Sequence, residues 1–115
     1  MKVIIAGSKD ITDFALVKQA VDASTFKITE VVSGTARGVD KLGEHWASLH
    51  EIPIKTFPAE WDTFGKPAGF VRNVKMAEYA DALIAIWDGK SRGTKHMIDQ
   101  AKLKLLKVFI YIVKE

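Results

Sequence analysis

Apolar and polar positions alternate along the chain in two different rhythms, and these divide it into nine segments. Lys2–Ala6 (KVIIA) is a short β-branched run ending at Gly7-Ser8, and Glu30–Ser33 repeats the design before Gly34. Ile52–Phe57 alternates Ile52, Ile54 and Thr56 with Pro53, Lys55 and Phe57, the rhythm of a strand with two unlike faces. Ala82–Trp87 and Val108–Val113 are unbroken apolar runs of six residues, the pattern of central strands covered on both sides. Between these runs the spacing becomes helical. Phe14, Val17, Ala20 and Val21 form one stripe, with Thr12 or Asp13 available as its cap, and Val39, Leu42, Gly43, Trp46 and Leu49 form a second. Phe70, Val74 and Ala77 form a third, and Met97, Ala101 and Leu105 a fourth, which Gly93-Thr94 is placed to start, with Thr94 as cap.

Five strands alternating strictly with four helices predict an α/β fold with right-handed crossovers and a parallel sheet. One long connection interrupts the rhythm, from Pro58 to Gly69, and it carries Trp61, Phe64, Gly65 and Pro67. A loop of that length in a compact domain is usually functional or disordered, and two aromatics argue against disorder.

Composition narrows the chemistry. At 115 residues the chain is expected to form one domain, residues 1–115, with a core that needs no staples. It has no cysteine, which excludes a disulfide scaffold, a thiol nucleophile and thiolate metal sites. Its histidines, at 45, 50 and 96, show no metal-binding spacing, so neither a metal nor a cofactor is expected. The apolar runs are far too short for a membrane span, and the N-terminus opens on a strand pattern rather than a signal peptide. The expectation is a soluble, cytoplasmic protein with no membrane partner. Net charge is only +3, but its distribution is uneven: between Lys90 and Lys107 six basic residues and His96 face one acid, Asp99. Such a run is either a solvated helix face or half of an anion site.

In an open parallel sheet, ligands bind beyond the carboxyl ends of the strands, where helix N-termini converge. The small and polar residues of this chain collect at those ends. The first strand is followed by Gly7, Ser8, Lys9 and Asp10; the second by Ser33, Gly34, Thr35, Ala36, Arg37, Gly38, Val39 and Asp40. The fourth is followed by Asp88, Gly89, Lys90, Ser91, Arg92, Gly93, Thr94, Lys95 and His96. Glycines four apart before a helix let backbone N–H groups approach an anion, and Arg37 can grip a phosphate. The same spacing also fits a plain strand-to-helix turn with an exposed arginine. The P-loop pattern GxxxxGK[ST] is absent, which disfavours a nucleotide triphosphatase of that type. Asp40 falls in a first helical turn, where a helix-dipole role is the ordinary one. Arg72 and Asn73 open the third helix, with Asp81 an alternative partner for the arginine, and His96 reads as a surface residue lacking an evident partner. Trp61, Phe64 and Phe70 either pin the long loop to the core or cover a base.

Taken in order, MKVIIAGSKDIT, VVSGTARGVDKLGEHWA and GFVRNVKMAEYADALIAIWDGKSRGTKHMI resemble the SLOG superfamily, most closely its small YspA/YpsA-related branch. The resemblance implies a Rossmann-like three-layer sandwich with a mostly parallel five-stranded sheet. It also implies a site for a nucleotide or nucleotide derivative lined by Gly7, Ser8, Gly34, Ala36, Arg37, Gly38, Asp40, Arg72, Asn73, Gly93 and Thr94. The related Lonely Guy phosphoribohydrolases end a PGGxGTxxE loop on a catalytic glutamate. Aligned on Gly93-Thr94, this chain has Met97 there, and Ser91-Arg92 in place of two glycines.

The leading expectation is a module that binds a nucleoside phosphate or an ADP-ribose/NAD-like molecule, as a sensor or by sequestering it. Lys9, Thr35, Asp88, Ser91, Arg92 and Lys95 complete the set of residues expected to contact the small-molecule ligand. One alternative is an N-glycosidase acting on a nucleoside monophosphate or ADP-ribosyl compound through Asp40 or Asp88. Another is single-stranded DNA binding, which the modest charge disfavours, so nucleic acid is not the expected partner. A homodimer is suggested only by the pairing of the related enzymes.

Overall fold

The computed structural model describes residues 1–114. Among them are five strands, β1 (Lys2–Gly7), β2 (Glu30–Ser33), β3 (Ile54–Thr56), β4 (Ala82–Trp87) and β5 (Lys107–Ile112). The helices are α1 (Phe14–Ser24), α2 (Val39–Leu49), α3 (Trp61–Phe64), α4 (Ala68–Tyr79) and α5 (Arg92–Leu103). All strand pairs are parallel and the sheet order is β3-β2-β1-β4-β5.

Alternation along β1 sorts the core into two layers. Val3 and Ile5 pack with Val17 of α1 and Val39 and Trp46 of α2, while Ile4 and Ala6 pack with Met76 of α4 and Met97 of α5. The sheet is therefore covered on both faces, the Rossmann-like α/β sandwich that the alternation of elements predicts. β4 is buried through its first five residues, as its apolar run requires.

Several sequence expectations need correction. The helices number five rather than about four, because the long connection contains the single turn α3, too short to show a period. α4 starts at Ala68, before Phe70. α5 starts at Arg92 and is capped by Ser91, whose side chain accepts from the Thr94 N–H, so Thr94 belongs to the first turn rather than the cap. β3 is only three residues long. β5 is an edge strand, not a central one, and its apolar residues are half-exposed. Leu49 and Leu105, counted in helical stripes, are exposed; Leu105 lies beyond α5 in the left-handed region (φ 61°), where the chain turns toward β5. The first cap is Asp13, which accepts from the Ala15 N–H at 3.0 Å.

Candidate functional site

From β1 the chain winds one way to β2 and β3, then crosses to the other side of β1 for β4 and β5. The carboxyl ends of β1 and β4 therefore flank a switch point, the place where an open α/β sheet leaves a crevice. Two close approaches fix its floor. A Cβ on Gly7 would lie 2.0 Å from the Ile86 carbonyl oxygen, so only glycine fits there. Next to it, the Ser8 N–H donates to that same carbonyl at 3.1 Å, and Ser8 Oγ accepts the Asp88 N–H at 3.2 Å. Gly38 has φ 76°, and a Cβ there would stand 2.4 Å from the Lys9 carbonyl oxygen, which locks the β2–α2 loop onto the β1–α1 loop.

Above this floor lies a cleft of about 600 Å³. Gly7, Ser8, Lys9, Ala36, Asp40, Arg72, Asn73, Asp88, Ser91, Arg92, Gly93 and Thr94 line it, so the loops after β1, β2 and β4 share one cavity. Five of the expected contacts lie outside its wall. Gly34, Thr35 and Gly38 are behind it, and a Cβ on Gly34 would crowd Asp40 Oδ2 at 2.9 Å and Arg72 Cδ at 3.0 Å. Arg37 turns to Asp10, 3.0 Å away, with both side chains largely exposed, and Lys95 turns to Asp99 at 2.9 Å. Sequence reasoning did not place Ala6, Asp10, Lys66, Gly69, Met76 or Met97 in the wall; Trp61 and Phe70, read as either loop pins or covers for a base, line it, as does Lys90. Lys66 carried no signal beyond its place in the long loop.

Asp40 and Arg72 form the charged heart of the cleft. Asp40 is 5% exposed, and its Oδ2 accepts the Ala36 N–H at 3.1 Å. Burial raises its pKa to about 6 from 3.8, against the opposing pull of the Ala36 N–H and the Arg72 guanidinium. Its role thus exceeds that of a helix-dipole acid. Arg72 does not reach Asp81, which accepts the Lys2 N–H instead. Its Nη1 donates to the Gly34 carbonyl at 3.0 Å and its Nε to Asn73 Oδ1 at 3.4 Å. Behind Asp40, Ser33 Oγ donates to Glu44 Oε2 at 2.7 Å and accepts the Thr35 N–H at 3.1 Å, which shapes the turn in which Thr35 takes φ 65°.

Buried Asn73 ties α4 to α5. Its Nδ2 donates to the Gly93 carbonyl at 3.2 Å and lies 3.1 Å from His96 Nδ1. With both amide hydrogens directed outward, His96 Nδ1 is the acceptor and the ring is neutral, its proton on Nε2. Burial pushes the His96 pKa down, and its ring stacks on Phe70 at 4.2 Å. His96 therefore has the partners that the sequence did not reveal.

Asp88 has a different use. Its Oδ1 accepts the N–H groups of Lys90 and Ser91, both at 2.8 Å, and these bonds hold its pKa below the usual carboxylate value. It folds the loop rather than storing a proton, which leaves Asp40 the better placed of the two candidate acids. The first-turn N–H groups of Arg92 and Gly93 have no intrahelical acceptor, and Gly93 faces open space. Lys9, Lys66, Arg72, Lys90 and Arg92 all line the cleft, against Asp10, Asp40 and Asp88, so cations outnumber acids in the wall that this helix end shares. Among the described residues, no group of three or more acidic or histidine side chains is placed to hold a metal ion, and no helix is long and apolar enough to cross a membrane.

The sequence profile of the YspA, cpYpsA-related SLOG family (YAcAr) matches residues 1–64, more than half of the chain. The chain belongs to this SLOG family. Gene 61 protein of Mycobacterium phage D29 is 36% identical to it over 78 residues, 63% of this chain and 62% of that protein. The solved structure of DNA processing protein A (DprA) from Streptococcus pneumoniae superposes with a TM-score of 0.72 at 18% identity. That match covers 95% of this chain but 49% of DprA, and it establishes a shared fold. The chain thus spans less than two thirds of the length of either relative.

Proposed function

We propose that the cleft binds a phosphorylated nucleotide or a nucleotide derivative of the ADP-ribose or NAD type, as a sensing or sequestering module. One observation carries this reading: five cationic side chains and the open N-terminus of α5 converge on one cavity at the sheet's switch point. Membership in a SLOG family supports it. In this reading the Arg92 and Gly93 amides take a phosphate, and Arg72 supplies the inner countercharge.

Calorimetry with AMP, ADP-ribose and NAD tests the proposal. Arg72→Ala is expected to weaken binding by about 2 kcal/mol, the worth of a charge-assisted hydrogen bond. Arg37→Ala, which removes a side chain outside the cleft wall and its exposed ion pair with Asp10, is expected to change both affinity and stability by less than about 0.5 kcal/mol. Folded protein that binds none of the three ligands at millimolar concentration refutes the reading.

The raised pKa of Asp40 favours a second reading, cleavage of an N-glycosidic bond with Asp40 as the proton-holding group. Met97 lines the cleft at the position aligned with the Lonely Guy glutamate, and of the carboxyl groups in the wall Asp40 is the buried one, Asp10 being paired with Arg37 and Asp88 with loop amides. Free base released from AMP or NAD by the protein, and not by Asp40→Asn, would establish this reading in place of binding alone.

A further inference from the structure

A second cavity, of about 280 Å³, opens beyond the end of β3. Phe57, Phe64 and Val71 give it an apolar wall, and Lys55, Glu60 and Lys75 line it as well. Arg72 lines this cavity and the main cleft alike, so the two chambers meet at this residue. The single turn α3 also serves both: Trp61 lines the larger chamber and Phe64 the smaller. Phe64 is 40% exposed, so its ring is accessible from the cavity. Each lysine lies near a ring, Lys75 Nζ 5.8 Å from the centre of Phe64 and Lys55 Nζ 5.7 Å from that of Phe57. Lys75 also pairs loosely with Glu60 at 3.5 Å.

We propose that this second cavity is a subsite for the distal ring of a two-ringed, phosphate-linked ligand, a dinucleotide whose bridging phosphates cross Arg72. The inference rests on nucleotide binding in the main cleft and deepens it by naming the ligand class. Arg72 is suited to the crossing point. Its Nη1 and Nε are engaged by Gly34 and Asn73, while Nη2 makes no hydrogen bond among the described residues. A planar ring past that point meets Phe57 and Phe64, with the Lys55 and Lys75 ammonium groups beside those rings. A mononucleotide fills only the first chamber and leaves the second to water.

ADP-ribose and diadenosine diphosphate form the probe pair, since they differ by the second adenine. Calorimetry with the whole chain is expected to show the dinucleotide binding about tenfold more tightly than ADP-ribose, the contribution of one stacked base. Phe64→Ala is expected to erase that advantage and Lys75→Glu, which removes the cation beside the Phe64 ring, to reduce it, while AMP and ADP-ribose affinities stay unchanged. Both side chains are substantially exposed, so neither variant threatens folding. If AMP and ADP-ribose bind but the second adenine adds nothing, or if neither variant lowers its contribution, the subsite is refuted and the main cleft stands. If none of the three probes binds, the cleft reading falls and the subsite with it. Thymidylate oligomers that gain affinity with each added nucleotide, and lose it steeply with salt, would overturn the subsite in favour of a strand-tracking groove.

Discussion

Gly7→Ala is expected to lower the unfolding free energy by about 4 kcal/mol, toward the upper end of single-residue effects. The added methyl group would sit 2.0 Å from the Ile86 carbonyl oxygen and 2.9 Å from Val39 Cγ2. Neither neighbour can easily give way. Ile86 is buried in β4 and held in register opposite Gly7, and Val39 is wholly buried at the start of α2. Relief requires β1 and β4 to part where the cleft has its floor, so ligand binding is expected to disappear with the stability. Urea denaturation measures the loss, and a variant within about 1 kcal/mol of the parent would show that the β1–β4 junction is far more compliant than its packing implies. Gly93→Ala is the matched control, because its Cβ would meet nothing within 4 Å.

The second large effect is a pH dependence. Asp40 has a pKa of about 6 in the folded chain against 3.8 for the ordinary group, so the folded state holds an extra proton between those values. Stability therefore falls as pH rises from about 4 through 6, by about 3 kcal/mol in total, and is level above that window. Asp40→Asn is expected to remove this decline, which makes it the more stable protein at pH 7. His96 works in the opposite direction. Its lowered pKa means that the unfolded chain binds protons more readily below about pH 6.5, so stability drops as pH falls there. That contribution is common to parent and variant, and the difference between their denaturation curves isolates Asp40. Parallel curves from pH 4 to 7 would show that Asp40 is charged at little cost.

The strands were legible because parallel β-sheet burial writes itself as continuous apolar runs, and Ala82–Trp87 coincides with β4 residue for residue. That logic misplaced Val108–Val113, since an edge strand packed by one neighbouring strand carries the same composition as a central one. The loops were legible as a group, because glycine, serine and basic residues gather where strands end. Their individual roles were not. Arg37 and Arg72 both look like anion grips beside a glycine turn, yet one meets Asp10 in solvent and the other reaches the Gly34 carbonyl in the cleft. Only the packing of α4 against the β2–α2 loop distinguishes them. Asp40 was named as a candidate, but its burial was hidden for a similar reason: an acid in a first helical turn reads the same whether solvent or protein surrounds it. Thr94 was the expected cap, but the Asp88 turn, which binds the Lys90 and Ser91 amides, starts the helix earlier and gives that place to Ser91.

The locking of the loops has a thermodynamic consequence. Gly38 rests on the Lys9 carbonyl, Ser8 takes the Asp88 amide, and Asp88 in turn fixes the approach to α5. Main-chain freedom at this edge is given up when the polypeptide collapses, well before any guest arrives. Association then carries little penalty for ordering the receptor, and more of the contact enthalpy remains as affinity even for a small anion.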